Sequence, residues 1–311
     1  LLIFVVVLGL GFYLGLPFLQ QIAGSARATL DDTRAAIEAE LVSLDRTRAA
    51  LVTGPDSPSL AAALALTATR VETPTDAWLW GDSIVGDGVL IYGGSGTVLR
   101  STDGGASFSR VATGVEAALI GGSTDGRRVL IHGNGGTLLR STDGGVSFAS
   151  VETGTQVDLR GVIAQGEQVL AYGGDASGSN GTVLLSTDGG TSFDSLDVGA
   201  VGYLNGASMV EDRILLYGSN GTVLRSVDGA AAFDLVETGT REEFVGDSTV
   251  GNRILVYGTR GILARSADGG ASFEVLDTGI PATLVGDITE GDRILIFGNN
   301  GTVLRSTDGG V

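Results

Sequence analysis

The sequence is dominated by one short motif that recurs at an almost constant interval. Its first copy is Ser101–Phe108 (STDGGASF), and further copies begin at Ser141, Ser186, Ser226, Ser266 and Ser306. The leading serines are 40, 45, 40, 40 and 40 residues apart. A period of about 40 residues with strand-like content is typical of propeller blades and not of helical repeats. This period constrains the fold more than any local propensity does.

One repeat, from Phe244 to Gly279, predicts four short strands. They are expected around Phe244–Ser248, Arg253–Tyr257, Ile262–Ser266 and Ser272–Leu276, with Gly-rich turns between them. Short strands joined by hairpins form an antiparallel blade. The apolar second strand indicates burial on both faces, as in a blade sandwiched between two neighbours. The sequence therefore predicts an all-β, six-bladed β-propeller over residues 67–311.

The two ends of the repeat region suggest how the propeller closes. Val71–Thr73 resembles the fourth strands Val151–Thr153 and Val236–Thr238, but no first three strands precede it. At the other end, Ile288–Ser306 supplies the last strands of a blade without its fourth. We expect the N-terminal strand to complete that blade and cover both sheet edges. Seven blades remain the alternative.

The N-terminal segment is predicted to be a membrane anchor. Residues 1–19 (LLIFVVVLGLGFYLGLPFL) carry no charge. At about 1.5 Å per residue they would span about 28 Å as a helix, close to the hydrocarbon thickness of a bilayer. We assign residues 1–21 to a transmembrane helix. The alternative is a signal peptide, for which Ala26-Arg27-Ala28 resembles a cleavage site.

Residues 22–66 are predicted to form an amphipathic helical stalk and a linker. Leu30, Ile37, Leu44 and Leu51 recur every seven residues, and Gly54-Pro55 ends the pattern. One interpretation is a stalk with a single apolar face. The other is self-association through residues 25–52, or docking of this helix on a membrane partner.

Composition excludes several classes of function. The formal net charge is −17, which opposes binding to nucleic acid because such binding needs a cationic surface. All 19 basic residues are Arg, so no lysine is present to form a Schiff base. The chain also has no Cys, which excludes a thiol nucleophile, a disulfide and a zinc–thiolate site. We predict no catalytic residue, cofactor or metal site, and a protein that is not an enzyme.

The recurring motif is itself predicted to be a structural turn. Its Asp can accept backbone N–H groups, its glycines permit left-handed φ, and its Phe packs inward. Because the motif recurs in six places, a structural role for it is favoured over a role in an active site. The sequences Asn180-Gly181, Asn220-Gly221 and Asn300-Gly301 are likewise read as tight turns, and not as glycosylation sites.

Five arginines occupy one slot of the repeat, beside the motif. They are Arg100, Arg140, Arg225, Arg265 and Arg305, with Leu185 as the exception. One interpretation is salt bridging between blades, to Asp82, Asp247 and Asp287. The other is a set of guanidinium groups that grips carboxylates on a partner. The sequence alone does not decide between these two interpretations of the arginines.

Departures from the repeat are the other candidates for recognition. The insertion within Asp175–Asn180, the two tryptophans Trp78 and Trp80, and Arg241 lie where exposed loops are expected. Neutral loop variation is the alternative. The single histidine, His132, takes a slot held by Tyr or Phe elsewhere and is read as a packing residue.

A glycoside hydrolase is the enzymatic alternative. Propeller sialidases need an arginine cluster, a tyrosine nucleophile and carboxylates that converge at the ring centre. Tyr203 and Glu211 come nearest to a nucleophile and a base in this sequence.

The motif resembles the Asp-box, or BNR repeat, of sialidase-type propellers. The longer pattern, from Tyr92-Gly93 through Gly96–Gly105 (GTVLRSTDGG), resembles Ycf48-like proteins over residues 68–311. That resemblance implies a propeller that helps to assemble photosystem II through an arginine patch, matched here by the five arginines. It also implies relatives that are associated with membrane transport systems.

We therefore expect a non-catalytic, membrane-anchored propeller that docks on an integral membrane protein complex, such as a transporter or photosynthetic complex. The propeller would be extracytoplasmic, in a bacterial periplasm or its equivalent. An assembly factor of the Ycf48-like type is the alternative. The predicted partner-binding residues are Trp78, Trp80, Arg100, Arg140, Asp175, Asn180, Arg225, Arg241, Arg265 and Arg305.

Overall fold

A computed structural model describes residues 70–175, 178, 180–199 and 201–310. The predicted transmembrane helix (1–21) and the predicted stalk (22–66) lie outside these residues. Among the described residues there is no helix long and apolar enough to cross a membrane.

The described chain consists of 23 short strands in six antiparallel sheets, each formed by consecutive strands. Blade 1 contains β1 (Leu79–Val85), β2 (Gly88–Gly93), β3 (Val98–Ser101) and β4 (Ser109–Val111). Blade 2 contains β5 (Leu119–Asp125), β6 (Arg128–Gly133), β7 (Leu138–Ser141) and β8 (Ala149–Ser150). Blade 3 contains β9 (Asp158–Gln165), β10 (Gln168–Gly174), β11 (Gly181–Ser186) and β12 (Asp194–Leu196).

The remaining three blades follow the same order. Blade 4 contains β13 (Leu204–Val210), β14 (Arg213–Gly218), β15 (Val223–Ser226) and β16 (Asp234–Leu235). Blade 5 contains β17 (Phe244–Val250), β18 (Arg253–Gly258), β19 (Leu263–Ser266) and β20 (Glu274–Leu276). Blade 6 contains β21 (Leu284–Glu290), β22 (Arg293–Gly298) and β23 (Val303–Ser306). The all-β propeller architecture and the strand pattern predicted for blade 5 are confirmed.

The hydrophobic core lies between blades. Leu215, Tyr217 and Val223 of blade 4 form one buried cluster with Phe244 and Ile254 of blade 5. Equivalent clusters join the other successive blades. Both faces of an inner blade are therefore apolar, which explains why the second strands are continuous apolar runs.

Each Asp-box is closed by its own side chains. In the first box the Ser101 hydroxyl donates to Asp103 Oδ1 over 2.7 Å and accepts from the Gly105 N–H over 2.8 Å. The carboxylate also accepts the Ser107 N–H over 2.9 Å. Hydrogen bonds from Ser107 and Ser101 lower the pKa of Asp103 to about 2. The box is therefore a folded turn that is held by an ionised carboxylate.

The loops between second and third strands also follow the predicted chemistry. Asn220 and Gly221 have φ of 57° and 68°, and Asn300 and Gly301 have φ of 59° and 68°. Asn and Gly reach this left-handed region at low cost, so the two Asn-Gly sequences are explained as turns.

The structure differs from the predicted closure. Val71–Thr73 is not a strand, and the sheet of blade 6 has three strands among the described residues. Thr73 Oγ1 instead bonds to the Thr75 carbonyl over 3.3 Å. The first strands of successive blades pack on each other from β1 to β21, but β21 and β1 are not such a pair. Among the described residues β23 therefore pairs with β22 alone.

The box glycines give a test of how the blades pack. Gly270 has φ +82°, and a Cβ added there would lie 2.8 Å from Leu215 Cδ2 of the preceding blade. Gly251 has φ +62° with nothing within 4 Å of an added Cβ. We expect Gly270→Ala to lower the free energy of unfolding by about 2–3 kcal/mol, because strain and overpacking add. Gly251→Ala should cost only about 1 kcal/mol of strain.

Urea unfolding of both variants measures the difference. Blade 4 already holds non-glycine residues at the two equivalent positions, Ala230 and Glu211, with φ of 68° and 56°. Both variants should therefore fold. Equal losses would mean that the box glycine does not press on the preceding blade.

Candidate partner-binding surface

The loops of the propeller fall on two opposite faces. We call the face formed by the second-to-third strand loops and by the segments that lead into each blade the loop face. We call the face formed by the first-to-second strand turns and the Asp-boxes the box face. Contacts within each face connect its loops, as in Gly136 N–H to Val157 O (2.7 Å) and Gly144 N–H to Arg127 O (2.9 Å).

Three of the five slot-sharing arginines connect adjacent blades. Arg100 Nε donates to Gly144 O over 3.3 Å, and Arg140 Nε donates to Gly189 O over 2.7 Å. Arg225 Nε donates to Gly269 O over 2.9 Å. Each acceptor is the first glycine carbonyl in the Asp-box of the next blade. These arginines therefore hold blades together at the box face.

Blade 3 makes the same connection with a different side chain. Its slot holds Leu185, which has no donor, and Gln168 of β10 donates instead to Gly229 O. The contact is kept where the repeat loses its arginine, which supports an architectural role.

The predicted interblade salt bridges to aspartates are not formed. Asp247 Oδ1 accepts from the Tyr217 hydroxyl over 3.0 Å, and Asp287 Oδ1 accepts from the Tyr257 hydroxyl over 2.9 Å. Burial raises the pKa of Asp247. The arginines lie at the box end of the third strands, where the acceptors within reach are box carbonyls. Arg265 pairs within its own blade, with Glu274 over 2.7 Å, and Arg305 is exposed.

An arginine that joins blades should be measurable as stability. We expect Arg140→Ala to lower the free energy of unfolding by about 1.5 kcal/mol, because a charge-assisted hydrogen bond to Gly189 O is lost. Arg110→Ala is the control, since Arg110 is exposed on β4, and it should change the free energy by less than about 0.5 kcal/mol. Denaturant unfolding reports both. Equal losses of stability in the two variants would mean that the contact of Arg140 with the next blade does not stabilise the fold.

The described residues of the inserted loop of blade 3, Asp175, Gly178 and Asn180, lie on the loop face beside blade 4. Asn180 Nδ2 donates to Asp175 Oδ2 over 2.6 Å, which closes the loop at its base. Gly178 O accepts from Ser219 Oγ over 3.2 Å. Gly178 therefore contacts blade 4, and Asn180 is an exposed residue.

Beside this loop, charged residues of blades 3 to 5 gather on the same face. The Arg160 guanidinium carbon lies 5.1 Å from the centroid of the Tyr203 ring. Arg260 pairs with Glu242 over 2.9 Å, and Arg241 is exposed. Neither Arg160 nor Arg260 was identified from the sequence. The position of Arg160 holds a different kind of residue in most blades, and Arg260 stands where blades 4 and 6 have Asn. A comparison of these positions between repeats would have identified them, because their residue types differ from those in the other blades.

The two tryptophans are the most prominent apolar groups on blade 1. Trp78 and Trp80 are 78% and 52% exposed. The Trp78 carbonyl accepts the Gly94 N–H over 2.8 Å, so its backbone is fixed while its ring projects. Exposed tryptophan on a rigid backbone is typical of a protein interface.

The structure thus divides the predicted binding residues between two faces. Trp78, Trp80, Asp175, Asn180 and Arg241 lie on the loop face. Arg100, Arg140, Arg225, Arg265 and Arg305 lie towards the box face. One flat partner surface cannot contact both groups.

The residues considered for glycoside hydrolysis are not brought together. Tyr203 and Glu211 flank β13, so a whole strand separates them, about 25 Å at the usual rise per residue. A retaining glycosidase needs its two catalytic groups about 5 Å apart. No group of three or more His, Cys, Asp or Glu side chains in the described part of the chain is arranged to hold a metal.

His132 is buried between blades 2 and 3, as expected for a packing residue. Within the described structure neither ring nitrogen has a hydrogen-bond partner. Burial lowers the pKa of His132 to about 4; the backbone of the nearby Arg160 acts against this shift, and the charge of Arg160 acts with it.

This histidine should make stability depend on pH. Between about pH 4 and 6.5 the unfolded chain binds a proton on His132 that the folded chain excludes. Stability should therefore rise with pH through this window, by at most about 3 kcal/mol, and then level off. His132→Phe, which copies Phe297 of blade 6, should remove this rise. Urea midpoints across the window test it, and an unchanged slope in the variant would contradict it.

Comparisons with solved structures agree on the fold. The computationally designed protein Ika8 matches with a TM-score of 0.64 and 13% identity, over 76% of this chain and 73% of that chain. The GH74 xyloglucanase from Xanthomonas campestris matches with a TM-score of 0.53 and 15% identity, over 72% of this chain and 44% of the enzyme. YCF48 from Cyanidioschyzon merolae matches with a TM-score of 0.41 and 17% identity, over 78% of this chain and 99% of that chain.

At these identities the likenesses to Ika8 and to the xyloglucanase, both with TM-scores above 0.5, establish the β-propeller fold alone. No protein-family model and no curated protein sequence matches the chain. The chain is accordingly a β-propeller built from Asp-box repeats.

Proposed function

We propose that this protein is a non-catalytic, membrane-anchored β-propeller that docks on an integral membrane protein complex through its loop face. Residues 1–21 would anchor it, and the propeller would stand on the extracytoplasmic side. The role is that of an accessory or scaffold subunit.

The observation that carries this proposal is the unequal use of the two faces. At the box face, regular arginines are engaged with the next blade, as in Arg140 with Gly189. At the loop face the repeat is broken in several blades, and the irregular residues include exposed Trp78, Trp80, Asn180 and Arg241. Binding residues concentrate on loops that a rigid scaffold holds in place.

The chemistry of the loop face suits a protein partner. Tryptophan supplies large apolar contact area, and Arg241 with the Arg260–Glu242 pair supplies directional polar contacts. The net charge of −17 disfavours an anionic partner such as nucleic acid. Binding would therefore depend on shape and on a few anchor side chains.

Capture of the partner from native membranes tests the proposal. A photo-crosslinking amino acid is placed at Arg241 on the loop face, and in a second protein at Val146 in the Asp-box of blade 2, on the box face. Both side chains are exposed. After solubilisation in mild detergent, the Arg241 protein should cross-link to a subunit of an integral membrane complex, and the Val146 protein should not.

The same experiment separates the alternatives. Cross-links to incomplete complexes only would favour a transient assembly factor of the Ycf48-like type. Equal cross-linking from both faces would contradict docking by the loop face. Hydrolysis of a glycoside that Tyr203→Phe abolishes would contradict the non-catalytic assignment.

A further inference from the structure

The first strand of each blade carries a β-bulge near its start, at the loop face. In blade 3, Tyr172 pairs with Gly161 and Gly173 pairs with Leu159, so Arg160 lies between them without a partner on β10. The same register shift occurs in the other five blades. Because the first strands of successive blades pack on each other, the bulge residues lie at the inner side of the loop face. Bulges redirect side chains and are common beside functional sites.

Blade 3 has the one charged residue at this bulge position. The other blades hold Trp80, Ile120, Asn205, Val245 and Val285 there. The Arg160 side chain is 40% exposed. Since five uncharged residues satisfy the fold at this position, the propeller itself does not require a cation there.

Arg160 is held in place by an aromatic ring of the next blade. Its guanidinium carbon lies 5.1 Å from the centroid of the Tyr203 ring. The backbone of Tyr203 is fixed in turn, because its N–H donates to Gly178 O over 3.4 Å and its carbonyl accepts from the Ser219 N–H over 2.8 Å. A Cβ added at Gly174 would lie 2.9 Å from Tyr203 Cδ2, so a glycine lets the ring lie this close to blade 3. A ring in this position orients the cation that lies over it.

The donors of this oriented guanidinium are unused. Within the described residues it makes no hydrogen bond. The nearest carboxylate oxygen, Asp158 Oδ2, is 4.0 Å from Arg160 Nη2, too far for a hydrogen bond. The other oxygen of Asp158 accepts the Gly135 N–H over 3.0 Å. Arginine has a flat fork of donors that can bind a carboxylate through two parallel hydrogen bonds.

Two further arginines of blade 5 lie on the loop face, and both are less well prepared. Arg260 is already paired with Glu242 over 2.9 Å. Arg241 is exposed, and in the described structure no ring orients it, so binding would have to order a free side chain. Arg160 therefore loses the least freedom when it engages a partner.

The surrounding charge limits the anion that Arg160 can bind. The chain carries a net charge of −17, and Asp158 lies beside the guanidinium. A dianion such as a phosphate would be repelled by both. A single carboxylate needs one cation and matches the flat fork of donors. An acidic side chain of a protein partner meets these conditions.

We propose that Arg160, oriented by Tyr203, is the anchor of the loop face and binds an Asp or Glu side chain of the protein partner. This inference rests on the proposed docking by the loop face and adds the chemistry of its central contact. The carboxylate would accept two parallel hydrogen bonds from the guanidinium. An arginine near the middle of a rigid face is typical of a binding hot spot.

Acetate serves as a probe that does not require the partner. The Nε–H signal of Arg160 is followed by nuclear magnetic resonance in the full-length protein in mild detergent, near neutral pH. The signal is identified by its loss in Arg160→Asn, a variant that copies Asn205 of blade 4 and should fold. Acetate should shift this signal saturably, and phosphate at equal ionic strength should shift it less. The signal of Arg110, exposed on β4, is the control and should not saturate.

Capture of the partner gives the second test. The photo-crosslinking amino acid at Arg241 is combined with a substitution at Arg160. Arg160→Asn should lower the cross-linking yield several-fold, and Arg110→Asn should leave it unchanged. Arg160→Lys keeps the charge without the fork and should retain only part of the yield. Tyr203→Phe keeps the ring and should retain the yield. Far-ultraviolet circular dichroism confirms that each variant is folded.

The outcomes separate this inference from the proposed function. Equal responses of Arg160 and Arg110 to acetate would overturn the carboxylate site. A larger response of Arg160 to phosphate than to acetate would assign the site to a free anion and overturn it as well. An undiminished yield from Arg160→Asn would overturn the anchor and leave docking by the loop face intact. Absence of any cross-link from Arg241 would contradict docking itself, and the acetate titration would still decide whether Arg160 binds a carboxylate.

Discussion

The architecture depends on the close approach of each Asp-box to the blade before it. A Cβ added at Gly145, Gly190, Gly270 or Gly310 would lie within about 3 Å of a leucine in the preceding second strand. Positive φ at these residues, which a side chain resists, brings the backbone that near. The box carbonyls then come within reach of Arg100, Arg140 and Arg225. A turn within one blade thereby sets the spacing of that blade from the preceding one.

This dependence explains why the two faces differ in what they can bind. At the box face, the polar groups that repeat most faithfully are engaged in joining neighbouring blades. At the loop face, the second-to-third strand loops join the next blade through backbone hydrogen bonds, as from Gly136 N–H to Val157 O, and blade 3 accommodates an insertion there.

Much of the fold could be predicted from the sequence, because the 40-residue period reports strand and turn chemistry directly. The second strand of blade 5 was expected at Arg253–Tyr257 and runs over Arg253–Gly258. Positive φ at Asn220 and Asn300 was also predictable, since Asn-Gly specifies it. The partners of Arg140 were not, because a side chain that crosses to another blade depends on the curvature of the array. Closure by Val71–Thr73 failed for the same reason.

The contacts between blades are alike in design but not in residues. Ser248 meets Thr289 at the junction of blades 5 and 6. At the junction of blades 3 and 4, Ile163 and Met209 occupy the same positions, and Gln168 replaces an arginine. An exchange of two blades would set a hydroxyl against isoleucine or leave a box carbonyl without its donor. The residues at each junction therefore specify which blade follows which. Duplication or recombination of single repeats would be costly in this array, although its units look interchangeable in the sequence.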